Sequence, residues 1–378
     1  MVALMGVVSF LVGYIVPFIL VLSLLVFVHE MGHYLVGRWS GIRVMAFSVG
    51  FGPELVGFTD GHGTRWKLSA IPLGGYVRFF GDEDASSKPN LAHLSTMSAE
   101  DRARSFPGAK LWKRAATVAA GPIANFILAI GIFAVLFSLY GKPIADPVVA
   151  EVKPGSAAAE DGIVPGDLLV AIDGNKVVTF DDVRRYVGVR PEMPIVVTIR
   201  RAGESMDLPM VPKRTEIADQ FGNKIELGVI GIVTSQESGN FRTEQFTPLQ
   251  AVGAGALQSW HIVTGTFDYL SNVVTGRMKA DQLGGPIRVA QASGQMASLG
   301  FAAVLQLAAV LSVSIGLLNL MPVPVLDGGH LMFYAIEAIR GKPASAAVQE
   351  IAFRIGFALI LMLMVFATWN DTFGRYLS

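Results

Sequence analysis

The stretch LLVFVHEMGHYLVG, Leu24–Gly37, decides how this chain folds. It places a histidine, a glutamate and a second histidine at the end of a run without any charged residue from Met1 to Val28. About 20 apolar residues in a helix are enough to cross the hydrocarbon core of a bilayer. The sequence therefore puts ionisable side chains where a membrane helix is predicted.

The spacing of these side chains indicates a metal site. His29 and His33 are four residues apart, so on a helix their imidazoles share one face and lie about 6 Å apart. Glu30 lies on the adjacent flank, where a carboxylate faces a metal-bound water without binding the metal. The pattern HExxH thus predicts two zinc ligands, His29 and His33, and a general base, Glu30. Ionisable groups in an apolar span need partners, which favours a functional site over a chance match.

A zinc ion that keeps an open position for water needs a third protein ligand. The stretch NLMPVPVLDGGH, Asn319–His330, offers Asp327, with His330 as the rival candidate. Pro322 and Pro324 cannot support a regular helix, and a broken helix at membrane depth is expected only where it lines a cavity or is buried in protein. We predict that Asp327 is the third ligand and that His330 is a supporting or structural residue.

The composition points to a membrane protein. The 378 residues are 52% hydrophobic and only 16% charged, and the mean hydropathy is +0.50. The formal net charge is zero, so there is no electrostatic case for nucleic acid as a partner. There are no cysteines, which excludes disulfides, cysteine-ligated zinc and thiol catalysis. Any metal site must be built from histidine, aspartate and glutamate.

Hydropathy and charge predict four membrane spans and their orientation. The spans fall within 1–37, 112–140, 299–330 and 348–370, the last with Arg354 snorkelling to the interface. The loop from Arg38 to Arg114 carries eleven Lys and Arg against seven Asp and Glu. The positive-inside rule therefore places this loop and the loop over 327–347 in the cytoplasm, with both termini outside.

The segment 251–276 is interrupted only by His261 and Asp268 and is a candidate for a fifth span. A fifth span would put Asp327 in the opposite compartment from His29 and His33. We therefore predict an interfacial helix pair in this region. The histidines His62, His93 and His261 lack metal-like spacing and are interpreted as surface or packing residues.

Two further regions have recognisable patterns. Residues 42–82 are punctuated by glycine and partly alternating, which predicts β-hairpins. These form either a small sheet packed under the helices or a re-entrant β element beside the site, tolerated because it is buried in protein. Residues 145–235 predict a soluble α+β domain, with turns at Asp173-Gly174 and Ala202-Gly203.

The motifs HEMGH and NLMPVPVLDGG together resemble the site-2 protease family of intramembrane zinc metalloproteases. GPIANF, Gly121–Phe126, and PLGGYV, Pro72–Val77, belong to the same resemblance, which covers nearly the whole chain. The domain between spans two and three is similar to a bacterial PDZ domain, most clearly in GIVPGDLLVAIDG, Gly162–Gly174, and indicates the RseP-type branch. Only one such domain is found, where RseP-type enzymes often have two in tandem.

The resemblance implies roles for individual residues. It makes His29, His33 and Asp327 the ligands of one Zn²⁺ per chain and Glu30 the catalytic residue that activates water. It associates Asn319 with positioning the substrate, and it places PLGGYV beside the substrate. The residues expected to bind substrate are Asn319, Pro322, Gly74, Gly75 and Tyr76. Asn125 matches the family's GPxxN motif, in a structural or a substrate-guiding role.

The expected fold is a polytopic α-helical membrane protein with about four transmembrane helices, a membrane-associated β element and one α+β PDZ-like domain. In chain order the expected parts are transmembrane helix 1 over 1–37, the cytoplasmic-side loop with the β-hairpin element over 38–111, helix 2 over 112–140, the periplasmic PDZ-like domain over 145–235, an interfacial helical segment over 236–298, helix 3 over 299–330 and helix 4 over 348–370.

The expected function is regulated intramembrane proteolysis of single-span membrane proteins, such as a pre-trimmed anti-sigma factor or remnant signal peptides. The expected location is the bacterial inner membrane, with the active site toward the cytoplasm. The expected partners are these substrates, the lipid bilayer and a peptide or protein ligand of the PDZ-like domain, unless that domain is only a spacer. The alternatives are a zinc-dependent membrane binding or transport protein with a PDZ recruiting domain, and a PDZ scaffold with a non-catalytic core.

Overall fold

The computed structural model describes residues 11–82, 97–218, 224–234, 241–280 and 284–372, apart from the side chains of Leu73, Ala218, Lys224 and Ile225. The chain divides into two compact units. The first comprises Met1–Phe133 with Gly284–Ser378, and the second comprises Ala134–Leu283. His93 and both termini, whose positions the sequence predicts, lie outside the described residues.

The described helices are numbered in chain order. They are α1 (Val16–Trp39), α2 (Ala99–Arg104), α3 (Leu111–Tyr140), α4 (Ala157–Glu160), α5 (Phe180–Gly188), α6 (Pro248–Val274), α7 (Pro286–Leu299), α8 (Phe301–Leu320), α9 (Asp327–Arg340) and α10 (Ala346–Thr372). A π-helical turn, Leu11–Ile15, leads into α1.

The described strands are numbered in the same way. They are β1 (Val44–Thr59), β2 (Arg65–Phe79), β3 (Lys142–Ala145), β4 (Glu151–Val152), β5 (Leu168–Ile172), β6 (Asn175–Lys176), β7 (Ile195–Arg201), β8 (Glu204–Met210), β9 (Lys213–Ala218), β10 (Lys224–Val229), β11 (Ile232–Val233) and β12 (Phe241–Glu244).

Four helices of the described chain are long and apolar enough to cross a membrane. They are the helix over Leu11–Trp39, α3, α8 and α10. Even the shortest, α8, has 20 residues, which at 1.5 Å per residue is about the 30 Å thickness of the hydrocarbon core. Although α6 has 27 residues, it is not among them. The predicted polytopic fold with four spans is therefore confirmed.

The predicted third span, 299–330, is divided between two helices in the structure. Helix α8 ends at Leu320, and a separate helix, α9, begins at Asp327. The intervening prolines break the helix because proline lacks an amide hydrogen and its ring clashes with the preceding turn. Val325 has φ +95°, which is rare for a β-branched residue and strains the connection. The sequence analysis predicted the break but did not predict α9.

Residues 286–298 of the predicted interfacial segment lie in α7, which belongs to the first unit. Helix α7 packs against the π-helical turn, α1, α8 and α10. The side chain of Asp371 on α10 is buried and accepts hydrogen bonds from the backbone amides of Gly285 and Arg288, both at 3.0 Å. These bonds satisfy amides at the start of α7, which would otherwise have no partner within the helix.

The two strands of the first unit form a sheet with four short segments. Both strands bend. Residues 44–49 of β1 pair with 75–79 of β2 on one side, and residues 46–49 pair with 65–68 of β2 on the other. Residues 54–59 of β1 then pair with the outer side of 65–69. Gly74 allows the bend in β2, with φ +112° and the Phe51 ring where a Cβ would lie. Segment 75–79 is consequently an edge of the sheet.

Aromatic side chains attach this sheet to α1. Phe47 stacks on Trp66 with ring centroids 4.5 Å apart, and Tyr34 of α1 meets both rings edge-on. Asp60, at the turn between the strands, accepts hydrogen bonds from Trp66, Tyr34 and two backbone amides. Burial alone would raise the pKa of Asp60, but these bonds lower it to about 2. The sheet is therefore fixed to the end of α1 that carries HExxH.

The second unit contains a four-stranded antiparallel sheet in the order β6-β5-β7-β8. Three smaller antiparallel pairs, β9 with β10, β4 with β11 and β3 with β12, accompany it. Helix α5 begins with a capping box formed by Thr179 and Asp182. The core includes the fully buried residues Leu169, Ile172, Val197 and Ile199. This order of elements agrees with the α+β domain predicted from the sequence.

Neighbouring residues of β7 provide a test of this core. Val197 is fully buried, whereas Val196 on the opposite face is 40% exposed. We expect Val197→Ala to lower the free energy of the opening reaction that exposes the sheet amides to exchange by about 1–3 kcal/mol. The reason is that the substitution removes buried methyl groups and leaves a cavity. We expect Val196→Ala to change this free energy by less than about 0.5 kcal/mol. Hydrogen exchange of the β5 and β7 amides in the full-length protein measures both, and equal effects would contradict the described burial.

Candidate metal centre

Three predicted ligands from distant parts of the sequence meet in the first unit. Nε2 of His29 lies 3.2 Å from Oδ2 of Asp327, and Nε2 of His33 lies 3.4 Å from the same oxygen. The two Nε2 atoms are 3.2 Å apart. Helix α1 supplies both histidines, and the first residue of α9 supplies the aspartate. Among the described residues, these three form a group that could hold a metal ion.

The donor set fits zinc. Bonds of about 2.0–2.2 Å to nitrogen and oxygen in a tetrahedral site put ligand atoms about 3.3–3.6 Å apart, close to the three distances in the structure. Oδ2 of Asp327 is buried and makes no hydrogen bond to any described residue. A buried carboxylate oxygen without a donor is costly, so its approach to two imidazole nitrogens indicates a place for a cation.

The opposite nitrogen of each imidazole faces α3. Nδ1 of His33 lies 2.9 Å from the backbone carbonyl oxygen of Thr117. Because a carbonyl only accepts, Nδ1 is the protonated nitrogen and Nε2 offers its lone pair to the ligand group. Nδ1 of His29 faces the side chain of Asn125 at 3.3 Å. Partners of this kind orient metal-binding histidines and fix their tautomers.

Glycines make room for the three ligands. A Cβ at Gly121 would lie 2.3 Å from Nε2 of His33 and 2.9 Å from Cε1 of His29. A Cβ at Gly32 would lie 2.3 Å from the carbonyl oxygen of Ala120, so α1 and α3 touch at this level. A side chain at Gly328, beside Asp327, would overlap the backbone of the preceding connection.

An ion pair holds the ligand-bearing helix to its support. Arg114 of α3 donates to the Glu337 carboxylate of α9 at 2.6 Å, and both side chains are largely buried. The Arg114 guanidinium also lies over the Tyr334 ring, 5.0 Å from its centroid. Helix α3 therefore contacts α9, which carries the aspartate, as well as both histidines.

Glu30, the predicted base, is buried among the ligands and the edge strand. Its carboxylate interacts electrostatically with His29, His33 and Asp327 and with the backbone of Val77. A Cβ at Gly75 would lie 3.2 Å from Cγ of Glu30, so the segment 75–79 passes directly over this side chain.

The structure separates the residues expected to bind substrate. Gly74 and Gly75 lie where the edge strand meets α1, whereas Tyr76 is stacked on Phe51 and accepts a hydrogen bond from Lys67 at 2.9 Å. Because side chains alternate along a strand, Tyr76 faces away from Glu30. Asn319 is half-buried in the last turn of α8, and Pro322 is exposed in the connection after it.

The other histidines within the described residues, His62, His261 and His330, do not join the group. His330 packs against the Phe353 ring, with ring centroids 5.3 Å apart. His62 is exposed in the turn between β1 and β2, and His261 is half-buried in α6. These positions agree with the structural or surface roles predicted for them.

The sequence model of Peptidase family M50 matches residues 17–363. The chain belongs to peptidase family M50. This is the site-2 protease family that the motifs predicted, and its members are zinc-dependent, so the chain is a membrane zinc metalloprotease. The fit of His29, His33 and Asp327 to zinc described above is the structural counterpart of this result.

Relatives in the family match along nearly the whole chain. The protein named "Putative zinc metalloprotease Atu1380" from Agrobacterium fabrum is 74% identical over 97% of both chains. "Metalloprotease MmpA" from Caulobacter vibrioides is 38% identical over 96% of both chains. Among solved structures, the PDZ domain of the SdrC-like protein Lmo2051 from Listeria monocytogenes is 20% identical, with a TM-score of 0.19, and the match covers 24% of this chain and 87% of that one.

The sequence analysis missed two supporting residues on α3. Thr117 acts through its backbone carbonyl, which no side-chain pattern reveals. Gly121 matters because it lacks a side chain, and the signal was its place in the quoted motif GPIANF. Asn125 was noted in the same motif, with a structural or a substrate-guiding role, but not as a partner of His29.

Gly121→Ala tests the space for the ligands. We expect this variant to lose most of its bound zinc, because the new Cβ would overlap the His33 imidazole. Gly131→Ala in the same helix is the matched control, since nothing lies within 4 Å of its Cβ position. Metal content per purified chain measures both variants. Full zinc content in Gly121→Ala would show that the ligands do not occupy the described positions.

Proposed function

We propose that this metalloprotease cleaves single-span membrane proteins within the membrane or at its edge. The observation that carries the proposal is the convergence of His29, His33 and Asp327 beside the buried carboxylate of Glu30. The two histidines and Glu30 lie on α1, a helix long and apolar enough to cross the bilayer. In this proposal the three residues hold one zinc ion and Glu30 is the catalytic base.

Zinc bound at this position would lower the pKa of a water molecule toward about 7 and polarise the substrate carbonyl. Glu30 would accept the proton from this water and return it to the leaving amine. The imidazoles and Asp327 stay fixed during these steps because α3 and the start of α9 hold them. The side chains of His29 and Asp327 are 12% and 16% exposed, which leaves the site a narrow opening.

The edge strand provides a place for the substrate. A helical substrate shields its carbonyls by internal hydrogen bonds, so it must unwind before hydrolysis. Backbone groups exposed by unwinding are costly in lipid unless they find partners. Segment 75–79 pairs on one side with β1, and it lies against Glu30. An unwound substrate that adds a strand to this edge would bring its backbone beside the base. Asn319 and Pro322 would help to hold the unwound segment.

The proposed location follows from the position of HExxH in α1. The histidines lie six and ten residues before the end of the helix at Trp39, about 9 and 15 Å inside that end. By the positive-inside rule, the basic loop after Trp39 would lie on the cytoplasmic side of a bacterial inner membrane, together with this end of the helix. The PDZ-like domain and both termini would then be periplasmic.

The proposed substrates share one architecture, a single membrane span whose outer part is absent or already trimmed. A pre-trimmed anti-sigma factor and remnant signal peptides both have it. The PDZ-like domain would bind an extended peptide or a chain terminus at the edge of a sheet, and α6 would lie at the membrane interface.

Glu30→Gln tests the role of the base. We expect the variant to keep its zinc and to cleave a single-span test substrate at least about 100-fold more slowly, because glutamine cannot accept the proton. Glu350→Gln, an exposed position on α10, is the matched control and should cleave at the rate of the unaltered enzyme. Cleavage by Glu30→Gln at that rate would contradict the mechanism.

The helical stability of the substrate tests the unwinding step. Two leucines replaced by glycines at the cleavage site cost the substrate helix about 1.5–2 kcal/mol. If unwinding limits the reaction, cleavage should be about 10–30-fold faster. The same pair of substitutions two turns away in the substrate is the control. Equal cleavage of all three substrates would show that unwinding at the edge strand is not required.

A further inference from the structure

Asn125 is a fully buried polar residue in the middle of an apolar membrane helix. Its side-chain Nδ2 lies 3.3 Å from Nδ1 of His29. Its Oδ1 is buried and has no hydrogen-bond partner among the described residues. A buried polar group in a span is costly unless it is satisfied, so this amide is expected to serve the site it faces.

The protonation of His29 decides which way this amide points. Nε2 of His29 faces the ligand group, so its lone pair belongs to the metal. A neutral imidazole with a free lone pair on Nε2 carries its proton on Nδ1 and needs an acceptor there. An NH₂ group cannot accept. The two ends of an asparagine amide are assigned from the hydrogen-bond network, and a half-turn of the amide places Oδ1 where it accepts from Nδ1. The same turn gives this oxygen a donor, which it otherwise lacks among the described residues.

We propose that Asn125 is a positioning residue for the zinc site. Its amide oxygen accepts the Nδ1 proton of His29, which fixes the tautomer and the ring orientation that direct Nε2 to the metal. The backbone carbonyl of Thr117 does the same for His33 at 2.9 Å. One helix, α3, thereby orients both imidazoles of HExxH, through a side chain for one and through the backbone for the other.

The third span fixes the position of Asn125. The fully buried Ser312 on α8 donates a hydrogen bond to the backbone carbonyl oxygen of Asn125 at 2.8 Å. Gly316, one turn further along α8, lies so close that its Cβ would be 3.4 Å from Cβ of Asn125. The orientation of His29 therefore depends on contacts between α8 and α3, although no residue of α8 is a proposed ligand.

Two substitutions distinguish positioning from packing. Asn125→Leu keeps the size of the side chain and removes the acceptor. Asn125→Asp keeps both the size and the acceptor but places a carboxylate in the span. If Asn125 only fills space, leucine is tolerated and aspartate is harmful. If Asn125 orients His29, leucine is harmful and aspartate preserves the site, because a carboxylate is also an effective partner for a zinc-bound imidazole.

The experiment measures zinc dissociation constants of the full-length protein in detergent by competition with a chelator. We expect Asn125→Leu to bind zinc about 10–100-fold more weakly than the unaltered protein. We expect the zinc dissociation constant of Asn125→Asp to stay within about threefold of that of the unaltered protein, because substitutions that keep an interaction usually change free energies by only a few tenths of a kcal/mol. Asn272→Leu removes a buried asparagine of α6 in the second unit and should leave zinc affinity unchanged. The visible absorption of the cobalt-substituted protein should change in Asn125→Leu and be preserved in Asn125→Asp.

Unchanged zinc affinity in Asn125→Leu, or equal losses in the leucine and aspartate variants, would overturn the proposal. Circular dichroism and gel filtration establish that each variant folds. If the leucine variant does not fold, Asn125→Ala takes its place, with the same expected loss. The inference rests on His29 being a ligand in the proposed function, and His29→Ala tests that assignment separately. Unaltered zinc binding in His29→Ala would refute the ligand assignment and with it the premise of the inference. Loss of zinc in His29→Ala with unaltered binding in Asn125→Leu would refute the role of Asn125 alone.

Discussion

The close contact of three possible metal-ligand atoms, from His29, His33 and Asp327, constrains the rest of this membrane-spanning unit. Two imidazole nitrogens and one carboxylate oxygen lie 3.2–3.4 Å apart, where each would be poorly satisfied without a cation. The atoms come from α1 and α9, almost 300 residues apart in the chain. The helices around them must pack closely enough to hold that geometry and must leave a path for water. The small residues on α3 and the broken backbone before α9 both meet this requirement.

The connection from α8 to α9 shows how the constraint acts on the backbone. A continuous third span would carry Asp327 further along the same axis, whereas the break lets a new helix begin at that residue. A carboxylate in the first turn of a helix is stabilised by the positive end of the helix dipole. The connection is compact, since a Cβ at Gly356 of α10 would lie 2.0 Å from the carbonyl oxygen of Pro324. The strained φ of Val325 is consistent with a backbone held by its surroundings.

The features predicted from the sequence were those that depend on local spacing and composition. The pair His29 and His33 follows from helical periodicity, and the spans follow from the length of apolar runs. Asp327 followed from the chemistry of zinc, because the site needed one more ligand and the chain has no cysteine. The features that escaped prediction depend on tertiary contacts. Neighbours distant in sequence determine where α9 begins, why position 121 has room only for glycine, and how β1 pairs with a second segment of β2.

The β element connects the chemistry of the site with the physics of the membrane. In the proposed function, an unwound substrate exposes backbone amides and carbonyls, and each unsatisfied group in lipid costs several kcal/mol. A sheet edge beside Glu30 supplies partners for those groups at the place where the base acts. The same sheet exposes apolar side chains of β1, including Leu55, Val56 and Phe58, at 61–69%. In water such a surface would favour aggregation, whereas in a bilayer it would keep the edge strand at the depth of the metal centre. The apolar surface would set the depth of the β element in the bilayer, and the edge strand would pair with the substrate at that same depth. Both surfaces would therefore belong to one element, because the peptide bond is cut at the depth of the metal centre.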